Sequence, residues 1–185
     1  YDQMLDMAAT AIYNRRKEII AQMRPIVEEY YSLLCGGRES INLDYRSELD
    51  TATLSELLLA SRQRDFVNEF TSVGVHRDDI LFNIGDYPLR KYGSQGQQKT
   101  FLVALKLAEY RLLANSSGER PILLLDDLFD KLDMGRVAEL LRLVGGDGFG
   151  QIMITDCNKH RLQRTLGEAG AEYRLFHVTE GKVEL

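Results

Sequence analysis

The chain has 185 residues, 44% hydrophobic and 28% charged, with a net charge of −5 and a pI near 5.3. That is enough for one good core plus an appendage, and it excludes a wholly basic nucleic-acid binder while leaving room for a local basic patch. No apolar run approaches the roughly 20 residues needed to cross a bilayer and no signal peptide opens the chain, so a cytoplasmic protein without a membrane partner is expected.

In chain order, Leu5, Ala9, Ile12, Ile19, Met23, Ile26, Tyr30 and Leu33 step by three and four residues, with Arg16 the one lapse. They predict a long helix with a coiled-coil-like seam. Pro25 should kink or break it, and Cys35-Gly36-Gly37 should end it. Alternation at Ile41, Leu43 and Tyr45 predicts a strand, and Leu54 to Phe70 a second amphipathic helix returning along the first. Residues 1–73 are thus expected to form a helical arm, and 74–185 a second unit. Arg15, Arg16 and Lys17, with Arg62 and Arg64, are candidates for DNA phosphate contacts; a solvated helix face is the plainer reading. Cys35 and Cys157 lack Cys-x-x-Cys spacing and are expected to be free thiols.

From Gly74 the composition shifts to short apolar strands and glycine turns. Ile80, Phe82 and Ile84 alternate as a strand, Gly85 to Pro88 reads as a turn, and the lone His76 reads as structural. Ser94-Gln95-Gly96-Gln97-Gln98 then opens a helix whose apolar positions are Phe101, Leu105, Ala108 and Leu112, closed by Asn115 to Gly118. Ser94 and Gln97 fit a Ser-x-x-Gln capping box, which is sufficient for a purely structural helix start. Gly96 is not explained that way, since glycine costs about 1 kcal/mol inside a helix relative to alanine. In a first turn it lets backbone N–H groups approach an anion such as phosphate, which the helix dipole favours.

Pro121-Ile122-Leu123-Leu124-Leu125 reads as a strand buried on both faces of a parallel sheet, and Asp126 and Asp127 stand at its carboxyl end. Two acids there either cap the next helix or serve as a metal-holding acid beside a water-activating one. A helix is expected over Val137 to Val144, followed by a glycine loop over 145–150. A buried strand Ile152-Met153-Ile154 ends at Thr155-Asp156, and Tyr173 to Leu185 reads as a closing hairpin.

The Ser-Gly-Gln helix start, the strand with paired acids and Leu132-Asp133 together resemble the signature, Walker B and D-loop series of an ABC-type ATPase head. Within that superfamily the wording is closest to the RecF family of bacterial recombination and gap-repair proteins. The likeness rests on Gly74-Val75-His76-Arg77-Asp78-Asp79, on Gln95 to Lys99 and on the run Leu123 to Asp133, and it spans nearly the whole chain. It implies an α/β fold: the carboxyl-terminal signature and Walker B lobe of an ABC-type P-loop ATPase, carrying an inserted helical arm.

By the same resemblance, Asp126 is the Mg²⁺-binding acid and Asp127 the catalytic acid that polarises water, where many relatives in the superfamily have Glu. Ser94 and Gly96 contact the γ-phosphate of ATP held by the opposite protomer, Gln95 and Gln97 belong to the same cofactor-binding turn, Asp133 stands in the D-loop and touches the partner, and Thr155 or Asp156 matches the switch position. The implied partners are DNA, a second copy bound in an ATP-dependent homodimer, and RecR. One part is missing: Gly181-Lys182 is followed by Val183, so no Gly-x-x-x-x-Gly-Lys-Ser/Thr phosphate loop is present. ATP and Mg²⁺ binding is therefore expected to need an amino-terminal lobe outside these residues. Three alternatives stand beside this reading: an SMC-like head in chromosome maintenance, a non-enzymatic module docking DNA or a protein through its arm, and a metal-dependent nuclease on Asp126, Asp127, Asp130 and Asp133.

Overall fold

The computed structural model describes residues 2–126, 132–168, 170 and 172–184. Asp127, the expected catalytic acid, and Asp130 lie outside the described residues.

Helix α1 (Asp2–Cys35) is the backbone of the fold. It runs through Pro25 without breaking, contrary to one of the two outcomes expected, and stops where Gly36 and Gly37 both take left-handed φ of 68° and 69°. The buried stripe also differs from the expected seam. Ala9, Ile20, Val27, Tyr30, Tyr31, Leu34 and Cys35 are buried, whereas Leu5, Ile12 and Leu33 are exposed. The second half of α1 packs on a sheet and another helix rather than on one partner helix, so its contact face is wider than a coiled-coil seam and turned by about one residue.

Strand β1 (Ile41–Arg46) pairs antiparallel with β2 (Asp79–Ile84), which pairs in turn with the two-residue β3 (Tyr87–Pro88). As the alternation predicts, Ile41 and Leu43 turn into the core. The expected division at 73/74 therefore falls between two neighbouring strands of one sheet. Asp78, with a side chain only 4% exposed, fastens the junction: Arg16 donates to it at 2.9 Å and the Tyr45 hydroxyl donates to it as well.

Helix α2 (Leu54–Asn68) starts at a full capping box between Thr53 and Glu56. Its expected amphipathic burial is not found: only Leu54 and Ser61 are buried, while Leu59, Phe66 and Val67 lie open. Repeated apolar residues give a helix a stripe, but a stripe is buried only where something lies against it.

Beyond the short α3 (Leu89–Tyr92), helix α4 (Gln95–Ser117) runs to a left-handed Gly118 and lies along α1. Phe101, Ala104, Leu107 and Ala108 share one core with Val27, Tyr31 and Leu34, and the Phe101 ring lies beside that of Tyr31. Strand β4 (Leu123–Leu125), helix α5 (Met134–Val144) and strand β5 (Ile152–Ile154) form a parallel β-α-β crossover. Val137, Leu140, Leu141 and Val144 bury one face of α5. Tyr110 of α4 fixes the approach to β5 by accepting a hydrogen bond from the Gly150 amide at 2.8 Å and stacking on Phe149.

The sheet is not buried on both faces. Leu123 is buried, but Ile122 is 57% and Leu124 68% exposed, and Met153 of β5 is also open. Among the described residues β4 pairs only with β5, and the outer face of the pair has no covering layer. Helix α6 (Lys159–Glu168) buries Leu162 and Leu166, and the hairpin β6–β7 (His177–Thr179, Lys182–Glu184) closes the described chain, starting four residues later than expected. The composite is α/β, as expected. Cys35 and Cys157 are free thiols, and no described helix is long and apolar enough to cross a membrane.

Candidate functional site

Ser94 caps α4 from an extended conformation, and both halves of the expected capping box are present. Its hydroxyl accepts from the Gln97 amide at 3.2 Å, and its own amide donates to Gln97 Oε1 at 2.7 Å. A helix start leaves its first N–H groups without intrahelical acceptors. The box uses those of Ser94 and Gln97, so those of Gln95 and Gly96 are the two it does not use. Ser94 and Gln95 are exposed, so an anion can approach this turn from solvent.

The turn is held from two sides. Toward α1, Gln97 Nε2 donates to Glu39 Oε1 at 2.9 Å, and the buried Tyr31 hydroxyl donates to the other oxygen of the same carboxylate at 2.7 Å. Toward α5, Arg136 Nη1 donates to the Gly96 carbonyl at 2.6 Å and contacts the Thr100 hydroxyl. Asp133 caps α5 by accepting from the Arg136 amide at 3.1 Å, and its other carboxylate oxygen pairs with Arg136 Nε at 3.1 Å. The residues expected in the signature and the D-loop are thus brought together through one side chain that the sequence reading did not single out.

This arrangement also gives Gly96 a second reason. A Cβ there would lie 3.3 Å from Arg136 Nη1, so a side chain would crowd the guanidinium. No local signal marks Arg136: an Arg in the first turn after an Asp cap is ordinary, and its neighbours in sequence do not say where its fork ends.

The hydrogen bond from Tyr31 is the main cause holding the Glu39 carboxyl below its usual range, burial opposes it, and Gln97 and Arg136 assist. A carboxyl depressed in the folded state adds stability above its unfolded pKa, near 4.3, and that stability is lost as pH falls through the folded value. Tyr31→Phe is expected to raise the Glu39 pKa toward the ordinary range and to move acid unfolding to higher pH. A carbon-detected NMR titration of Glu39 checks this; an unmoved Glu39 would contradict it.

Asp126 stands exposed at the carboxyl end of β4. The Thr155 hydroxyl, at the end of β5, donates to its Oδ1, and the Thr155 amide bonds to the Leu125 carbonyl at 3.0 Å. One of the two residues expected at the switch position, Thr155, is therefore hydrogen-bonded to the carboxylate expected to hold Mg²⁺. An exposed carboxylate steadied by a hydroxyl suits Mg²⁺, which keeps most of its water and takes one or two carboxylates. The Asp156 carboxylate caps the following turn at the Asn158 amide.

Four of the five cations expected at DNA are engaged within the chain. Arg15 pairs with Glu18, Arg16 with Asp78 and Lys17 with Asp50, and Arg64 donates to Ser72. His76 bonds the Thr71 carbonyl at 3.0 Å, in keeping with a structural role.

The DNA replication and repair protein RecF of Bacteroides thetaiotaomicron is 42% identical over 183 residues, covering 99% of this chain and 50% of that protein. RecF of Porphyromonas gingivalis is 46% identical over 176 residues, covering 95% of this chain and 48% of its own length. The chain is homologous to RecF. A solved structure described as the recombination mediator protein RecF with ATP in the RecFOR pathway matches this α/β fold with a TM-score of 0.71, at 27% identity, over 85% of this chain and 44% of that one. A second RecF structure, with an ATP analogue, gives the same TM-score at 24% identity over 99% of this chain, which bears on the fold alone. No family model matches the chain. The chain spans about half the length of the curated RecF relatives it matches.

Proposed function

We propose that this chain is the signature and Walker B half of a RecF-type ATPase head, acting in recombination, gap repair and replication as an ATP-dependent DNA-binding mediator. The observation that carries the reading is the exposed, doubly braced start of α4. Ser94, Gln95, Gly96 and Gln97 there offer backbone N–H groups and a helix dipole to an anion, with Asp133 tied to the same turn through Arg136. In this reading the anion is the terminal phosphate of ATP held by a second protomer, and ATP-driven homodimerisation brings the two halves of each site together.

Asp126 would hold Mg²⁺, with Thr155 fixing the rotation of its carboxylate, and Asp127 would accept the proton of attacking water. When bound, Mg²⁺ would neutralise charge on the phosphate oxygens. The main grip on the nucleotide comes from a P-loop lobe outside this sequence. The uncovered apolar face of β4 and α4, with Leu102, Leu113, Ile122 and Leu124 open, supports packing against such a lobe. Residues 1–73 supply an arm whose root is woven into the head through β1 and Asp78; DNA and RecR are the partners and the cytoplasm the compartment.

The 185 residues alone are expected to bind ATP only above about millimolar concentration, because anion contacts at one helix start are worth little without the phosphate loop. Calorimetric titration with ATP and Mg²⁺ checks this. Binding in the micromolar range would overturn the assignment of the main grip to a missing lobe.

A further inference from the structure

We propose that Arg136 is a positioning residue that locks the Asp133 turn and the start of α4 into one unit, so that both meet a partner protomer in a fixed relation. The inference rests on the reading of the α4 start given above, but the tie itself is a property of this chain.

The side chain is 18% exposed and uses its fork on two elements at once. Nε faces Asp133 Oδ2 at the head of α5, and Nη1 faces the Gly96 carbonyl and Thr100 in the first turns of α4. Thr100 is fully buried, and its hydroxyl donates to the same Gly96 carbonyl at 2.7 Å. A cation beside a helix amino terminus is opposed by the helix dipole, so this guanidinium stays because Asp133 and the Gly96 carbonyl hold it there. The planar fork of arginine can satisfy both partners in one geometry, whereas a lysine ammonium is a point charge that serves them less well together. A Cβ at Gly96 would lie 3.3 Å from Nη1, so the group would have to give by a few tenths of an ångström to share the turn with a side chain.

The test has two arms. In the 185-residue chain, Arg136→Met is expected to raise amide hydrogen exchange over residues 95–98 and 133–137 together by about 10-fold, with Arg136→Lys intermediate. Arg136→Lys keeps the charge and much of the volume, so it reports even if the Met variant folds poorly. In a RecF-length protein carrying this sequence, Arg136→Met is expected to weaken ATP-driven dimerisation by about 10-fold while the ATP affinity of the monomer stays within roughly twofold. Unchanged exchange, or a rise confined to 133–137, would overturn the tie. A coupled rise in exchange in a parent protein that does not dimerise on ATP would sustain the tie and overturn the ATPase-head reading beneath it.

Discussion

Ser94→Arg in a RecF-length protein carrying this sequence is expected to weaken ATP-driven dimerisation by at least about 100-fold, or about 2.7 kcal/mol. The substitution does two things at the exposed head of α4. It removes the hydroxyl that accepts from the Gln97 amide, which costs about 1 kcal/mol of helix start. It also fills, with a long side chain, the turn against which the partner's nucleotide is proposed to sit. Ser94→Ala separates the two effects, since it loses the same cap and leaves the turn open; its dimerisation is expected to fall by no more than about 10-fold. Sedimentation velocity with and without ATP reads both. Equal losses for the two variants would reduce Ser94 to a cap.

The two acids after β4 should fail differently. Asp127→Ala is expected to lower turnover by about 10²–10⁴-fold, the range of a positioned general base, while ATP-driven dimers still form and persist. Asp126→Ala removes the carboxylate proposed for Mg²⁺ and should lose both turnover and the ATP-driven dimer. Single-turnover hydrolysis alongside sedimentation distinguishes them. Identical behaviour of the two variants, or undiminished turnover for Asp127→Ala, would contradict the division of roles.

These roles were legible to different depths. The cap at Ser94 and Gln97, the Gly118 stop, the β1 alternation and the β4-α5-β5 order could all be read because each depends on residues close in sequence. The α1 stripe, the open α2 and the half-exposed β4 were misread because burial depends on what lies against an element. Leu124 is as apolar as Leu123, yet one faces solvent and the other the core. The bracing of the signature turn was invisible for the same reason. Arg136 and Glu39 lie 40 and 58 residues from their α4 partners, Gly96 and Gln97, and only the packing of α1, α4 and α5 brings them together. The basic run at Arg15 to Lys17 could be read as charged but not as paired: its acceptors Asp50 and Asp78 lie far along the chain, and only the fold brings them to α1.

In the proposed head this chain gives its α4 start to a nucleotide gripped by another copy. Mixing two RecF-length variants, one with its P-loop lysine replaced and one carrying Ser94→Arg, shows whether it does. Each alone should be inactive. If the site is shared across the dimer, the mixed dimers hold one intact site, and ATP hydrolysis should recover toward, at most, roughly a quarter of the parent rate as protein concentration is raised to offset the weaker dimerisation of Ser94→Arg. No recovery on mixing, from two variants that each still fold, would contradict a site built across two chains.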